Sequence, residues 1–155
     1  MAKKPKGARK AEFPSRESSG YLVRDANRAF QSLLERRIAP FGVTRGQWYF
    51  LRVLWNEDRL SQRELSARVG TKESTTVMAL RSMEKAGLIR RARTAGDKRR
   101  AEVRLTAKGR SLSAVLLPLA RRITGEAEVG VTRAEFRIFR DIILRMTANL
   151  DQLNR

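Results

Sequence analysis

The 155-residue chain contains no cysteine and no histidine. The first absence excludes disulfides, thiolate metal sites and thiol-based redox sensing. The second removes the commonest general base and metal ligand, so neither a metal site nor a bound cofactor is expected. No Gly-rich phosphate loop occurs, and Glu64, Glu135 and the other carboxylates suit helix caps or solvated faces rather than acid–base pairs. The chain therefore does not read as an enzyme. No apolar run approaches ~18 residues, so no membrane span is expected. Residues 1–10 are basic but lead into Phe13-Pro14-Ser15-Arg16-Glu17-Ser18-Ser19 rather than an apolar signal core, which points to a cytoplasmic product.

Acids are scarce too. Sixteen of them face 34 bases, 26 of which are arginine, for a net charge of +18. The planar guanidinium fork suits phosphates and base edges, which makes nucleic acid the leading partner and another anionic surface or ligand the second. The excess is uneven: residues 1–19 carry +4, 20–60 carry +3, 61–104 carry +7 and 105–155 carry +4. Pro5, Gly7, Pro14 and the surplus of bases mark residues 1–19 as a mobile basic arm. The remainder, 20–155, reads as a single domain.

Residues 21–39 carry Leu22, Ala26, Ala29, Phe30, Leu33 and Ile38 at helical period, stopped by Pro40. Thr44 and Gln47 have capping-box spacing ahead of a second helix. That helix is apolar nearly all round over 47–55, so a partner chain or a ligand pocket is expected to cover part of it. Ser61 and Glu64 form another capping box, opening a short helix with Leu65 and Val69 inward that stops at Gly70. A helix over 72–86 follows, with Thr76, Ala79, Leu80 and Met83 inward, closed by Gly87. Two short helices about a glycine turn make a helix-turn-helix. Strands at 88–93 and 101–105 then flank the tip "TAGDKRR". From Thr106 a long helix is expected, with Leu112, Val115, Leu116, Leu119 and Ile123 on one stripe and a kink at Pro118. Thr132 and Glu135 cap a last helix bearing Phe136, Phe139, Ile142, Ile143, Met146 and Leu150.

This order of elements, with "GVTRGQW", "LSQRELSARVG", "LRSMEKAGLIRR", "GDKRRAEVRLTAKGR" and "VTRAEFRIF", resembles the MarR family of bacterial transcription regulators over about 20–150. Asp97-x-Arg99-Arg100 followed by Leu105-Thr106-x-x-Gly109 is its most specific pairing. The resemblance implies a mainly α fold with a small β-hairpin wing: a winged helix-turn-helix at 61–104 and a helical dimerisation and effector scaffold at 20–59 and 106–155. It implies a homodimer on a palindromic double-stranded operator, and a repressor of a catabolic or efflux operon released by a small effector. Where family members often have polar residues, this recognition helix has Val77 and Met78, so the family's base preference does not transfer. The competing class is a DNA-architectural or RNA-binding protein with no effector.

A wing must cross the phosphate backbone and place a cation in the minor groove, where A·T-rich DNA is most negative. Arg99 matches the family's groove-reaching arginine. Gly96 permits a tight tip, and Asp97 is expected to hold an arginine by a charge-assisted hydrogen bond. Lys98 and Arg100 are candidates for that tether or for phosphate. On the recognition helix Lys72, Ser74, Thr75, Val77, Met78, Arg81 and Ser82 face outward. Ser74 and Thr75 suit phosphates or bases, Arg81 a phosphate or a guanine edge. Val77 and Met78 either meet thymine methyls or pack on the neighbouring helix. Ser61 and Gln62 stand where free helix N–H groups gather, which suits phosphate. Excess arginine in the scaffold suggests an anionic effector with a flat apolar part, an aryl carboxylate or aryl acyl-CoA. Candidates are Tyr21, Arg24 and Arg28 at i, i+3, i+7, with Trp48, Tyr49, Phe50, Arg52, Arg121 and Arg122; the same arginines could instead be solvated or paired with Asp25, Glu35 and Glu126.

Overall fold

The computed structural model describes the backbone at residues 18–94 and 97–154, and side chains at 18–92 and 102–154. Helix α1 spans Ser19–Ile38, two residues earlier than expected, because Ser18 Oγ accepts the N–H of Tyr21 at 3.3 Å. The rest of the basic arm lies outside the described residues. Pro40 ends α1 in a 3₁₀ turn, Ala39–Phe41, and Gly42 turns the chain at φ 69°. Helix α2, Arg45–Asn56, opens with the expected Thr44/Gln47 capping box. Strand β1, Leu60–Ser61, leads into α3, Gln62–Val69, and α4, Glu73–Lys85. Strands β2, Ile89–Thr94, and β3, Asp97–Leu105, form the hairpin, followed by α5, Ala107–Ser111, α6, Ser113–Ala127, and α7, Arg133–Leu153.

The sheet is antiparallel in the order β1-β3-β2. The two-residue β1, paired Leu60 to Val103 and Ser61 to Glu102, is too short to register as a pattern in sequence. β3 begins at Asp97, four residues before the expected strand. Its register runs from Ile89↔Leu105 to Arg93↔Ala101 and then shifts to Thr94↔Asp97, leaving Lys98, Arg99 and Arg100 opposite no residue of β2. Those three belong to a bulged strand, a device that re-aims side chains, rather than to a turn.

The chain forms two compact units, one reaching to Leu119 and the other spanning Ala120–Arg155. In the first, Trp48, Phe50, Leu51 and Leu54 of α2 are buried beside α1, α3, α4 and β3. The chain itself covers that side of the helix, of which sequence assigned only a part to a partner chain or ligand pocket, while Tyr49, Arg52 and Trp55 border a cavity. Leu65, Leu80, Met83, Leu88, Val103 and Leu105 complete this core. In the second unit α7 has no buried residue and exposes Phe136, Ile138, Phe139, Ile142, Leu144 and Leu150.

The expected helix from Thr106 is instead two. It breaks at Leu112, where Ser111 Oγ donates to Lys108 O at 2.9 Å and Ser113 Oγ to Arg110 O at 2.7 Å. Serine hydroxyls so placed compete for the carbonyls that helix continuation needs. Pro118 lies inside α6, and Val115, expected inward, is exposed.

Candidate nucleic-acid interface

Helix α3 starts at a capping box: Ser61 Oγ accepts Glu64 N–H at 3.2 Å, and Glu64 Oε2 accepts Ser61 N–H at 2.8 Å. It stops at Gly70, whose φ of 72° lets its N–H and that of Thr71 return to Ser66 O. The turn delivers α4 across α3, and a buried hydroxyl relay holds the crossing. Ser66 Oγ donates to Thr76 Oγ1 at 2.6 Å, and Thr76 Oγ1 donates to Lys72 O at 3.3 Å. At the other end of α4, Gln47 Nε2 donates to Ser82 Oγ at 2.9 Å while Gln47 Oε1 accepts Thr44 N–H. Ser82, which periodicity places on the open side, is thus tied to α2. Ser66 itself escaped the sequence reading, although it lies on the same α3 stripe as Leu65 and Val69.

These anchors set which face of α4 is open. Lys72, Ser74, Thr75 and Arg81 are exposed, Val77 is half-buried, and Met78 is 67% exposed. Ser61 and Gln62, at the head of α3, are half-buried. Gly96 lies outside the described residues. Asp97, Lys98, Arg99 and Arg100 have described backbone in β3, but their side chains lie outside the description.

The foot of the hairpin is fixed to both neighbours. Arg91 Nε of β2 meets Glu84 Oε2 of α4 at 3.3 Å. Past β3, Thr106 caps α5 by accepting Gly109 N–H at 3.0 Å, while its own hydroxyl donates to Gly87 O at 2.6 Å. Lys108 Nζ donates to Ala86 O at 2.8 Å, so two carbonyls just past the end of α4 find partners in the Leu-Thr-x-x-Gly stretch. Gly109 is required there: a Cβ on it would stand 2.0 Å from Leu88 O.

Asp58, between α2 and β1, accepts the N–H of Leu105 and of Arg59 and the guanidinium of Arg110, each at 3.0 Å. Burial pushes its carboxyl up. The Leu105 N–H, the Arg110 guanidinium and the Arg59 N–H pull it down by more, and it lies below the ordinary carboxylate range. A depressed carboxylate stabilises the fold above its unfolded pKa, and that contribution is lost as pH falls through the lowered value. Asp58→Asn should therefore cost about 1–2 kcal/mol at neutral pH. In urea melts the gap from the parent should close as pH drops below the ordinary 3.8. A gap independent of pH would contradict the assignment.

In the first unit a cavity of about 580 Å³ has walls from α2, α3 and α6, among them Tyr49, Arg52, Trp55, Arg68 and Leu117. Of the residues sequence proposed for an effector, Tyr49 and Arg52 line it. Trp48 is 3% exposed in the core, edge-on to Trp55 with ring centroids 5.7 Å apart. Trp55 Nε1 donates to Gly109 O at 2.8 Å. On α1, Arg24 stacks over the Tyr21 ring at 4.5 Å, and Arg24 and Arg28 both approach Asp25, at 3.8 and 3.5 Å. Arg121 and Arg122 are exposed on the part of α6 that belongs to the second unit. Among the described residues no group of three His, Cys, Asp or Glu could hold a metal, and no helix is long and apolar enough to cross a membrane.

A helix-turn-helix backed by a three-stranded sheet and its hairpin is the architecture of a winged-helix protein. The family model described as the MarR family matches residues 41–100. Over 123 residues the chain is 34% identical to the HTH-type transcriptional regulator TtmR of Methylorubrum extorquens (strain PA1), covering 79% of this chain and 60% of that protein's length. The crystal structure of transcriptional regulator PA3341 is 30% identical with a TM-score of 0.74, covering 86% of this chain and 98% of that one. The S. aureus MepR–DNA complex, at 21% identity, shares the fold with a TM-score of 0.79, covering 85% and 98% of the two chains. The chain belongs to the MarR family of winged-helix transcription regulators. Its relatives are regulators rather than enzymes.

Proposed function

We propose that the protein is a dimeric, ligand-responsive regulator that represses transcription from a palindromic operator and leaves the DNA on binding a small anionic aromatic effector. The observation that carries this reading is α4: buried hydroxyls and Gln47 anchor one side, and the other presents Lys72, Ser74, Thr75, Met78 and Arg81 within the +7 segment. A major groove accepts a helix of this kind, with Ser74 and Thr75 nearest the bases and Met78 against thymine methyls. Ser61 and Gln62 reach phosphate from α3. Arg99 enters the minor groove, while Lys98 and Arg100 meet phosphate or the Asp97 tether at the tip that Gly96 permits. MepR, of the same fold, was solved as a DNA complex. The exposed apolar face of α7 supports a second copy as partner. The cavity beside Arg52, with Tyr49 and Trp55 as aromatic walls, supports the effector class.

Selection of duplexes from a random pool tests the reading. The expected result is a palindrome with half-site centres about 10 bp apart, from which an aryl carboxylate or its CoA thioester releases the protein and a cationic aromatic does not. On that duplex Arg99→Ala should lower affinity more than Arg110→Ala, because Arg110 clamps Asp58 instead of reaching DNA. Retention of unrelated duplexes with equal affinity would favour the architectural alternative.

A further inference from the structure

The helix that orients α4 ends at the cavity. Arg68, in the last turn of α3, lines that cavity, and its guanidinium is paired with the carboxylate of Glu57. Glu57 caps the C-terminus of α2, where unpaired carbonyls already concentrate negative charge. Its carboxylate stands there against the helix dipole, with Arg68 compensating. The cavity's other guanidinium, Arg52, has no carboxylate in ion-pair reach among the described residues and stands 6.0 Å from the Trp48 ring centroid.

We propose that Glu57 and Arg68 form a latch that holds α3 in its DNA-reading position and that an anionic ligand opens. The proposal rests on the effector reading above and deepens it. A carboxylate seated on Arg52, with its aromatic part between Tyr49 and Trp55, offers Arg68 a second anion. Arg68 then leaves Glu57, and the end of α3 moves with it. Two residues away Ser66 is bonded to Thr76 of α4 inside the core, so a displacement of α3 is delivered to α4. Because both partners of the latch are about half exposed, at 52% and 45%, the pair biases the equilibrium modestly rather than locking it. Linkage makes the effect reciprocal: whatever weakens the latch must favour the ligand and disfavour the DNA.

Removing Glu57's charge separates this from ordinary electrostatics. Deleting an acid from a basic protein should strengthen its grip on DNA, whereas opening the latch should weaken it. Full-length parent and Glu57→Gln are titrated calorimetrically with 2-naphthoate, with 2-naphthylmethanol as the neutral control, and by anisotropy with the selected duplex in the absence of ligand. The expected result is that Glu57→Gln binds 2-naphthoate about threefold tighter, leaves the alcohol unchanged and binds the duplex about threefold more weakly. In an Arg68→Gln background the Glu57 substitution should have no further effect on either. Duplex binding that is unchanged or tighter in Glu57→Gln overturns the latch. If 2-naphthoate still binds and releases the parent, the effector reading survives that result. No heat from 2-naphthoate with either protein overturns both.

Discussion

Gly109→Ala is expected to cost about 3 kcal/mol or more and to lower the melting temperature by roughly 10 °C. The methyl would stand 2.0 Å from Leu88 O, 3.0 Å from Leu88 C and 3.2 Å from Leu105 Cδ2. Backbone is the obstacle, so no side-chain rotation relieves it. The same Leu88 carbonyl accepts Thr106 N–H at 3.0 Å, and Gly109 O accepts the Trp55 indole, so retreat of α5 breaks two further bonds. Gly125, inside α6, is the control: nothing lies within 4 Å of its Cβ position, and alanine there should stabilise by up to about 1 kcal/mol. Thermal melts of the two variants read the difference. Equal melting temperatures would contradict the packing of α5 on Leu88.

Phe139→Asp combined with Ile143→Asp should abolish the proposed dimer while leaving a folded monomer. Phe139 is 58% exposed and Ile143 half-buried in the single chain, so neither carboxylate is forced into a core there. In the dimer the same positions would be desolvated and the charges unpaired, which no apolar interface of this kind tolerates. Two reading heads held together bind a palindrome with the second engagement effectively intramolecular. Loss of that linkage should weaken operator binding by about 10²- to 10⁴-fold. Sedimentation measures the oligomeric state and anisotropy the affinity. A dimer that persists with both aspartates would place the partner surface elsewhere than on α7.

The parts legible in sequence were those with local causes. All three capping boxes, at Thr44/Gln47, Ser61/Glu64 and Thr132/Glu135, form where their three-residue spacing put them. Gly70 ends α3 as expected because an N–H return to Ser66 O needs a positive φ. Thr76, Leu80 and Met83 are buried at their helical period. What sequence missed depends on contacts far along the chain. Strand β1 exists only because β3 offers it two partners some forty residues on. Asp58 owes its bonds to Leu105 and Arg110, and Gln47 its bond to Ser82, none of which any local pattern encodes. The break at Leu112 had a local cause, serines on either side, but the apolar stripe across it masked the signal. Of the candidate site, the exposed face of α4 was legible from its inward stripe. The cavity was legible only from its α2 wall, in Tyr49 and Arg52, because Arg68 and Leu117 reach it from two other helices.

The affinity of the full-length protein for its selected palindrome, set against a scrambled duplex of the same composition at moderate salt, tests the central claim most directly. A sequence-reading dimer should prefer the palindrome by at least about 10³-fold, with both affinities falling steeply as salt rises and counterions are released. Equal affinity for the two duplexes at every salt concentration would contradict it.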